Sequence, residues 1–237
     1  MANGSMNDGG LMEDGMAQML EDIRQEVEFT KGWIGKDHLD KRVMAAMKAV
    51  PRHEFVPGAC RYFAYANGPV AIGHGQTVSQ PYIVALMTDL LEPQADDVVL
   101  EVGTGSGYQA AVLSQLIKRV YSMEIVTVLA DEAATRLRRL GYDNVEVRSG
   151  DGYQGWREHA PFDGIIVTAA APHIPPPLIE QLKPGGRLVI PVGPPYGHQI
   201  LSVVSKDDGG RIVTRDILPV AFVPLTGEHH PPSGDED

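Results

Sequence analysis

Cysteine is nearly absent from the 237-residue chain: Cys60 stands alone, so no internal disulfide can form. No apolar run approaches the ~20 residues that a membrane-spanning helix requires. Residues 1–10 also lack the basic and apolar regions of a secretory signal. A lone cysteine is typical of a reducing compartment. These absences together predict a cytoplasmic protein that has no membrane partner.

Basic residues are also scarce, with 20 Lys and Arg against 31 Asp and Glu and a net charge of −11. Nine of the acidic residues lie in residues 1–22 and 227–237, which leaves the intervening chain close to neutral. Because no basic patch is present to neutralise phosphates, nucleic acid is not the expected substrate. The eight histidines form no H-E-x-x-H motif and no cysteine pair accompanies them, so no metal site is expected.

Glycine, by contrast, is concentrated in residues 98–108, V-V-L-E-V-G-T-G-S-G-Y. The apolar run predicts a buried parallel strand, and Gly103, Gly105 and Gly107 predict a tight turn before a helix that begins near Ser106. Such turns are where open α/β sheets bind ligands, although a turn can also be glycine-rich for tight geometry alone. The G-x-G-x-G spacing disfavours a dinucleotide site, and no Lys-Ser or Lys-Thr follows to make a P-loop.

Strand and helix patterns alternate in the second half of the chain, which predicts an α/β fold with a Rossmann-like, doubly wound and mostly parallel sheet. Two closing strands predict an antiparallel C-terminal edge, and two early helices predict an N-terminal cap. We expect disorder over 1–15 and a single domain over 16–226, followed by an acidic tail over 227–237. Within the domain, a helical cap and substrate loop over 16–92 precede a core over 93–226. The predicted strands span 98–102, 119–123, 145–148, 162–167, 187–192, 199–204 and 212–222.

Two carboxylates follow neighbouring strands of this predicted sheet. Glu124 comes 21 residues after Gly103, at the end of the second strand. A carboxylate there can accept hydrogen bonds from the ribose hydroxyls of a nucleoside. Asp151 lies between two glycines after the third strand, where it can meet the edge of an adenine. A solvated acid and a plain Asp-Gly turn are the structural alternatives for these two residues.

Residues 51–82 are predicted to form a long loop, because Gly73 and Gly75 favour irregular backbone. Long loops in compact domains are usually functional. The loop ends in Ser79-Gln80-Pro81, which is the pattern of a helix N-terminus with Ser79 as its N-cap. The loop is therefore a second candidate for a functional segment.

Six segments occur in an order that resembles one known family. E-V-G-T-G-S-G resembles motif I of the S-adenosylmethionine-dependent methyltransferases of Rossmann-like fold, and the whole set closely resembles the bacterial protein-L-isoaspartate O-methyltransferases over residues 16–226. The acidic termini and A-N-G-P-V-A at 66–71 depart from the family pattern at the rim of the expected peptide groove. The segments are G-H-G-Q-T-V-S-Q-P-Y (73–82), V-L-E-V-G-T-G-S-G-Y (99–108), S-G-D-G (149–152), P-F-D-G-I-I-V-T-A-A (161–170), L-K-P-G-G-R-L-V-I-P-V-G (182–193) and F-V-P-L (222–225).

The resemblance implies a protein repair enzyme that transfers a methyl group from S-adenosylmethionine to the free α-carboxylate of L-isoaspartyl residues, with S-adenosylhomocysteine as product. The implied partners are damaged proteins and peptides that contain isoaspartate. The implied active-site residue is Ser79, which is also an implied substrate contact together with Val223. The implied cofactor contacts are Gln76, Thr77, Val78, Ser79, Glu101, Gly103, Gly105, Glu124, Asp151, Gly152 and Thr226.

Such a reaction requires neither a general base nor a metal ion. The acceptor carboxylate is already ionised at pH 7, and the sulfonium donor is already activated. We therefore interpret Ser79 as a residue that orients the acceptor and attacks nothing. Two alternatives stay open: a methyltransferase that acts on a small molecule or RNA, and a nucleoside-binding module without turnover.

Overall fold

The computed structural model describes residues 8–227 and consists of a mostly parallel sheet with helices on its faces. Two 3₁₀ turns, Arg52–Phe55 and Gly58–Phe63, precede the first strand, and two more, Gly152–Gln154 and Arg157–His159, lie in the second half of the chain. The helices are α1 (Asp8–Ile34), α2 (Lys41–Ala49), α3 (Pro81–Leu91), α4 (Tyr108–Ser114), α5 (Thr127–Arg139) and α6 (Pro176–Glu180). The strands are β1 (Val70–Gly73), β2 (Gln76–Val78), β3 (Val98–Val102), β4 (Arg119–Glu124), β5 (Val145–Ser149), β6 (Phe162–Val167), β7 (Leu182–Val192), β8 (Gln199–Lys206) and β9 (Ile212–Val220).

The seven-stranded sheet has the order β5-β4-β3-β6-β7-β8-β9. Strands β3 to β7 pair in parallel, whereas β8 and β9 pair antiparallel at one edge. The chain first builds the sheet outward from β3 through β4 to β5, and then returns to β6 on the other side of β3. Ligands of such sheets bind where the strand order reverses, at the carboxyl ends of the strands. The predicted α/β fold class is confirmed.

Burial on both faces explains the apolar run of the central strand. Residues 99–102 of β3 are all buried, because α3 and α4 cover one face of the sheet and a second apolar cluster fills the other. The cap helices α1 and α2 pack on α3. None of the helices within residues 8–227 is both long and apolar enough to cross a membrane.

Helix α1 is longer than the sequence predicts. It begins at Asp8, so the prediction of disorder is wrong for residues 8–15, while residues 1–7 lie outside the described part of the chain. The first turns of α1 lie close to Tyr65: a Cβ at Gly15 would lie 3.3 Å from the Tyr65 ring. These tertiary contacts outweigh the low intrinsic helix propensity of a glycine-rich segment.

The predicted loop over residues 51–82 is largely structured. Two 3₁₀ turns are followed by the antiparallel hairpin of β1 and β2, whose turn places His74 at φ 52° and Gly75 at φ 71°. Gln80, not Ser79, is the N-cap of α3. The predicted N-cap role of Ser79 is therefore wrong, because the helix begins one residue later than the Ser-x-Pro pattern suggests.

Smaller corrections concern element boundaries. Helix α4 begins at Tyr108 and not near Ser106, because Gly107 adopts φ 88° as its N-cap. Strand β7 begins at Leu182, so residues 183–186, which are not in the predicted strand, lie within it and form a bulge opposite β6. Of the predicted acidic tail, residues 228–237 lie outside the described part of the chain.

Candidate functional site

The glycine turn after β3 is packed too closely for any larger residue at its first position. Gly103 has φ 97°, and a Cβ there would lie 2.4 Å from the Thr168 hydroxyl oxygen. That hydroxyl donates a hydrogen bond to the Gly103 carbonyl over 2.6 Å. Thr168 follows β6, so the ends of two adjacent strands are tied together at the switch point of the sheet.

A cavity opens directly above this turn, and we call it the first cavity. Its walls come from the carboxyl ends of β3 and β4, from the hairpin strand β2 and from residues 223–226. A small surface at Gly152 is required here as well, because a Cβ would lie 2.3 Å from Val102 Cγ1. The predicted cofactor or substrate contacts that line the first cavity are Gln76, Thr77, Gly103, Gly105, Glu124, Gly152, Val223 and Thr226.

Glu124 lies at the floor of the first cavity with its carboxylate fixed by backbone amides. One carboxylate oxygen accepts from the Gly105 amide over 2.8 Å, and the other accepts from the Val126 amide over 3.0 Å. Only 6% of the residue is exposed. Two amide donors hold the negative charge in place without neutralising it, and each oxygen can accept a further hydrogen bond.

Asp151 borders the first cavity without lining it. Its carboxylate accepts from the Tyr153 amide over 3.0 Å and thereby caps a 3₁₀ turn. The same carboxylate lies beside Gly227, where a Cβ would approach its oxygen to 2.4 Å. The structure therefore gives Asp151 a turn-forming role and brings its neighbour Gly152 into the cavity wall.

Glu101 was predicted as a cofactor contact, but it lies beneath the glycine turn and not among the residues that line the cavities. It is 0% exposed and accepts a hydrogen bond from Ser122, whose hydroxyl also contacts Thr104. Burial raises the pKa of Glu101 to about 8, and the negative charge of Glu124 acts in the same direction. The side chain is therefore mainly protonated at neutral pH in the folded protein.

The raised pKa of Glu101 predicts that the free energy of unfolding depends on pH. Below pH 4.5 Glu101 is protonated in both states, whereas between pH 4.5 and about 8 only the folded protein retains the proton. Unfolding then releases a proton, so rising pH lowers the free energy of unfolding by up to ~1.4 kcal/mol per pH unit. Urea unfolding at pH 5 and pH 8 should show a smaller difference for Glu101→Gln than for the wild type. Equal differences would contradict the assignment of this proton to Glu101.

A second cavity adjoins the first and shares Thr77, Thr168 and Val223 with it. Ser79 lines the second cavity, is half-buried and forms no side-chain hydrogen bond within residues 8–227. A third, narrow cavity between the hairpin and the glycine turn is lined by Val78 and Ser79. Ser79 therefore stands where the hairpin, the glycine turn and the second cavity meet.

Residues 221–226, here called the strap, cross from the end of β9 toward the end of β6 and line both cavities. The Val223 carbonyl accepts from the Ala170 amide over 2.8 Å, and the Leu225 amide donates to the Ala170 carbonyl over 2.7 Å. The buried side chain of Gln199 accepts from the Phe222 amide over 2.6 Å and donates to the Phe222 carbonyl over 3.1 Å. The Gln199 side-chain amide therefore bonds both backbone groups of Phe222, as a neighbouring strand would, and holds the strap against the sheet.

Sequence reasoning did not identify Thr168 or Gln199 as residues of the site. Thr168 could have been found by its place after β6, since polar residues at the carboxyl ends of neighbouring strands meet at one edge. No local signal distinguishes Gln199, whose partner lies 23 residues away. Within residues 8–227, no three His, Cys, Asp or Glu side chains lie close enough together to hold a metal ion.

Comparison with known proteins places this chain in one family. The family described as protein-L-isoaspartate(D-aspartate) O-methyltransferase matches residues 30–230. The protein-L-isoaspartate O-methyltransferase 2 of Syntrophobacter fumaroxidans is 64% identical over 90% of this chain and 86% of its own length. The corresponding Nitrosococcus oceani protein is 61% identical over 91% of this chain and 98% of its own length.

Solved structures agree with the sequence relatives. The match to a solved protein-L-isoaspartate O-methyltransferase structure covers 90% of this chain and 66% of that structure's chain, with a TM-score of 0.75 and 26% sequence identity. A Plasmodium falciparum structure described as the same enzyme, in complex with S-adenosyl-L-homocysteine, covers 88% of this chain and 97% of its own with a TM-score of 0.72, also at 26% identity. The chain therefore belongs to the protein-L-isoaspartate(D-aspartate) O-methyltransferase family.

Proposed function

We propose that the protein repairs damaged proteins by transferring a methyl group from S-adenosylmethionine to the α-carboxylate of L-isoaspartyl residues. One observation carries the proposal: two cavities share Thr77, Thr168 and Val223 as a common wall, and Ser79 lines the second of them at the junction. A donor in the first cavity and an acceptor in the second would meet there. Family membership supplies the identities of donor and acceptor.

The residues of the first cavity suit S-adenosylmethionine. The Glu124 carboxylate is available as an acceptor for ribose hydroxyls, and Gly103 and Gly152 present only backbone to the cavity. Gln76 and Thr226 also line this cavity. The cofactor, when bound, supplies an electrophilic methyl group on a sulfonium. The chain's own task is to hold this group in line with the acceptor.

The second cavity suits a carboxylate acceptor. Ser79 offers a hydroxyl with no competing partner in the described chain, and α3 begins two residues later without a side-chain cap on its first amides. A hydroxyl donor and the positive end of a helix both favour an anion. Because the carboxylate is already ionised, no residue needs to remove a proton, and orientation can supply about 7–11 kcal/mol of rate enhancement.

The alternative functions receive less support from the site. An RNA acceptor requires basic residues to neutralise phosphates, whereas this chain carries an excess of acid. A binding module without turnover does not explain a second cavity that shares a wall with the first. We further propose that the enzyme acts on cytoplasmic proteins, which is supported by the lone cysteine.

Replacement of the Ser79 hydroxyl tests the proposal. Ser79→Ala should lower kcat/KM for an isoaspartyl peptide by about 10- to 100-fold, because the acceptor loses its orienting donor. The melting temperature should change little, since the hydroxyl forms no hydrogen bond within the described chain. The matched control is Ser205→Ala on β8, a half-buried serine outside both cavities. Unchanged turnover of Ser79→Ala would contradict the acceptor site, and no turnover by the wild type would contradict the function itself.

A further inference from the structure

Arg52 is the bulkiest side chain that is completely buried in the described protein, and its guanidinium lies behind the residue that we place at the acceptor. It is 0% exposed. Its Nε donates to the Ala64 carbonyl over 2.7 Å, and one terminal nitrogen donates to the Ser79 carbonyl over 2.8 Å. The guanidinium carbon also lies 4.7 Å from the centre of the Tyr108 ring. Arg52 therefore connects the hairpin end to the first residue of the helix that follows the glycine turn.

The positive charge of this guanidinium is not neutralised by any carboxylate in the described chain. Two of its N–H groups donate to carbonyls, and the groups that act on its charge are Tyr108, through both hydrogen bonding and charge, and Tyr65, through charge alone. Its other terminal nitrogen, Nη1, has no hydrogen-bond partner. Burial lowers the pKa of Arg52, but the ordinary value is so high that the group stays charged at pH 7. An unpaired buried charge is costly to maintain.

Ser79 links this charge to the second cavity. The Ser79 carbonyl faces Arg52, while the same residue lines the second cavity. The uncapped N-terminus of α3 adds partial positive charge from the adjacent side. A carboxylate does lie near the rim, at Glu26, but amide donors of Asn67 and Gln80 are hydrogen-bonded to it. An anionic acceptor is therefore the group that would balance Arg52.

We propose that Arg52 is a positioning residue that makes the second cavity select a negatively charged acceptor. The proposal rests on the function proposed above and specifies how that site tells a carboxylate from a neutral group. The field of Arg52 acts on the acceptor while it is charged, and the acceptor loses its charge as the methyl group is transferred. Arg52 should therefore govern the binding of the acceptor more than the rate of transfer.

Two peptides that differ only in charge at the acceptor test this role. One contains isoaspartate with a free α-carboxylate, and the other carries an α-carboxamide at the same position. Their affinities are measured by calorimetry on the protein saturated with S-adenosylhomocysteine, so that no reaction occurs. The wild type should bind the carboxylate peptide at least ~10-fold more tightly. Arg52→Met, which keeps the apolar stem but not the charge, should lose most of this preference, and Arg52→Lys should keep part of it.

Each outcome decides the proposal. A wild type that binds both peptides equally overturns it, and this measurement needs no variant to fold. An unchanged preference in Arg52→Met, or a loss of affinity equal for both peptides, also overturns it, because a purely structural role would act on both alike. Melting temperature and affinity for S-adenosylhomocysteine establish that the variant is folded. Failure of the wild type to bind or methylate isoaspartyl peptides would instead refute the proposed function.

Discussion

Glu124→Ala should weaken the binding of S-adenosylmethionine at least ~100-fold, because two charge-assisted hydrogen bonds to the ribose would be lost at roughly 1.5–3 kcal/mol each. The size of the effect follows from the preorganisation of this carboxylate. The Gly105 and Val126 amides already hold its two oxygens, so binding requires no reorientation of the side chain. Titration calorimetry with S-adenosylhomocysteine measures the affinity directly.

Two variants accompany this measurement. Glu124→Gln keeps one acceptor for the Gly105 amide but removes the charge, so its loss of affinity should be intermediate. Asp131→Ala on α5 removes an exposed carboxylate that lines neither cavity, so this variant should leave the affinity unchanged. If the affinity of Glu124→Ala lies within about threefold of the wild type, the difference in binding free energy is only on the order of RT. Glu124 would then serve only the glycine turn.

Local sequence patterns were sufficient to predict the glycine turn and the strands around it. The five apolar or buried residues of β3 coincide with the predicted 98–102, because a central parallel strand is buried on both faces and reads as a continuous run. Glu124 was predicted at the end of its strand and lies in the first cavity. The positions of these residues follow from strand order and strand polarity, which place the carboxyl ends together whatever the details of packing.

Contacts between distant residues account for most of the errors. The glycines at 73 and 75 indicated irregular backbone, but pairing of β1 with β2 converts that segment into a hairpin whose turn uses them. The glycine-rich start of α1 was read as disorder, although α1 packs on the rest of the cap. Composition indicates only the conformation that a segment favours in isolation. These two segments take their conformation from contacts with residues far away in the chain.

The roles of individual side chains were harder still to predict. A motif places Glu101 before the glycine turn but does not reveal that its carboxyl group is sealed beneath the turn and protonated near neutral pH. Gln199 and Arg52 carry no motif at all, because their importance lies in backbone carbonyls and amides of segments that fold against them. Only the three-dimensional arrangement identifies such residues.

Matched peptides that carry aspartate or isoaspartate at one position provide the most direct test of the central claim. In isoaspartate the free carboxylate is attached to the Cα atom, whereas in aspartate it lies one methylene further from the main chain. An acceptor held between Ser79 and the strap would then be displaced by about one bond length, and such a misplacement costs about 100-fold in rate.

Transfer of labelled methyl from S-adenosylmethionine to both peptides is therefore the decisive measurement. Label is expected on the isoaspartyl peptide, with at least ~100-fold slower labelling of the aspartyl peptide. Comparable labelling of the two peptides, or labelling of neither, would contradict the assignment of the second cavity to the isoaspartyl carboxylate.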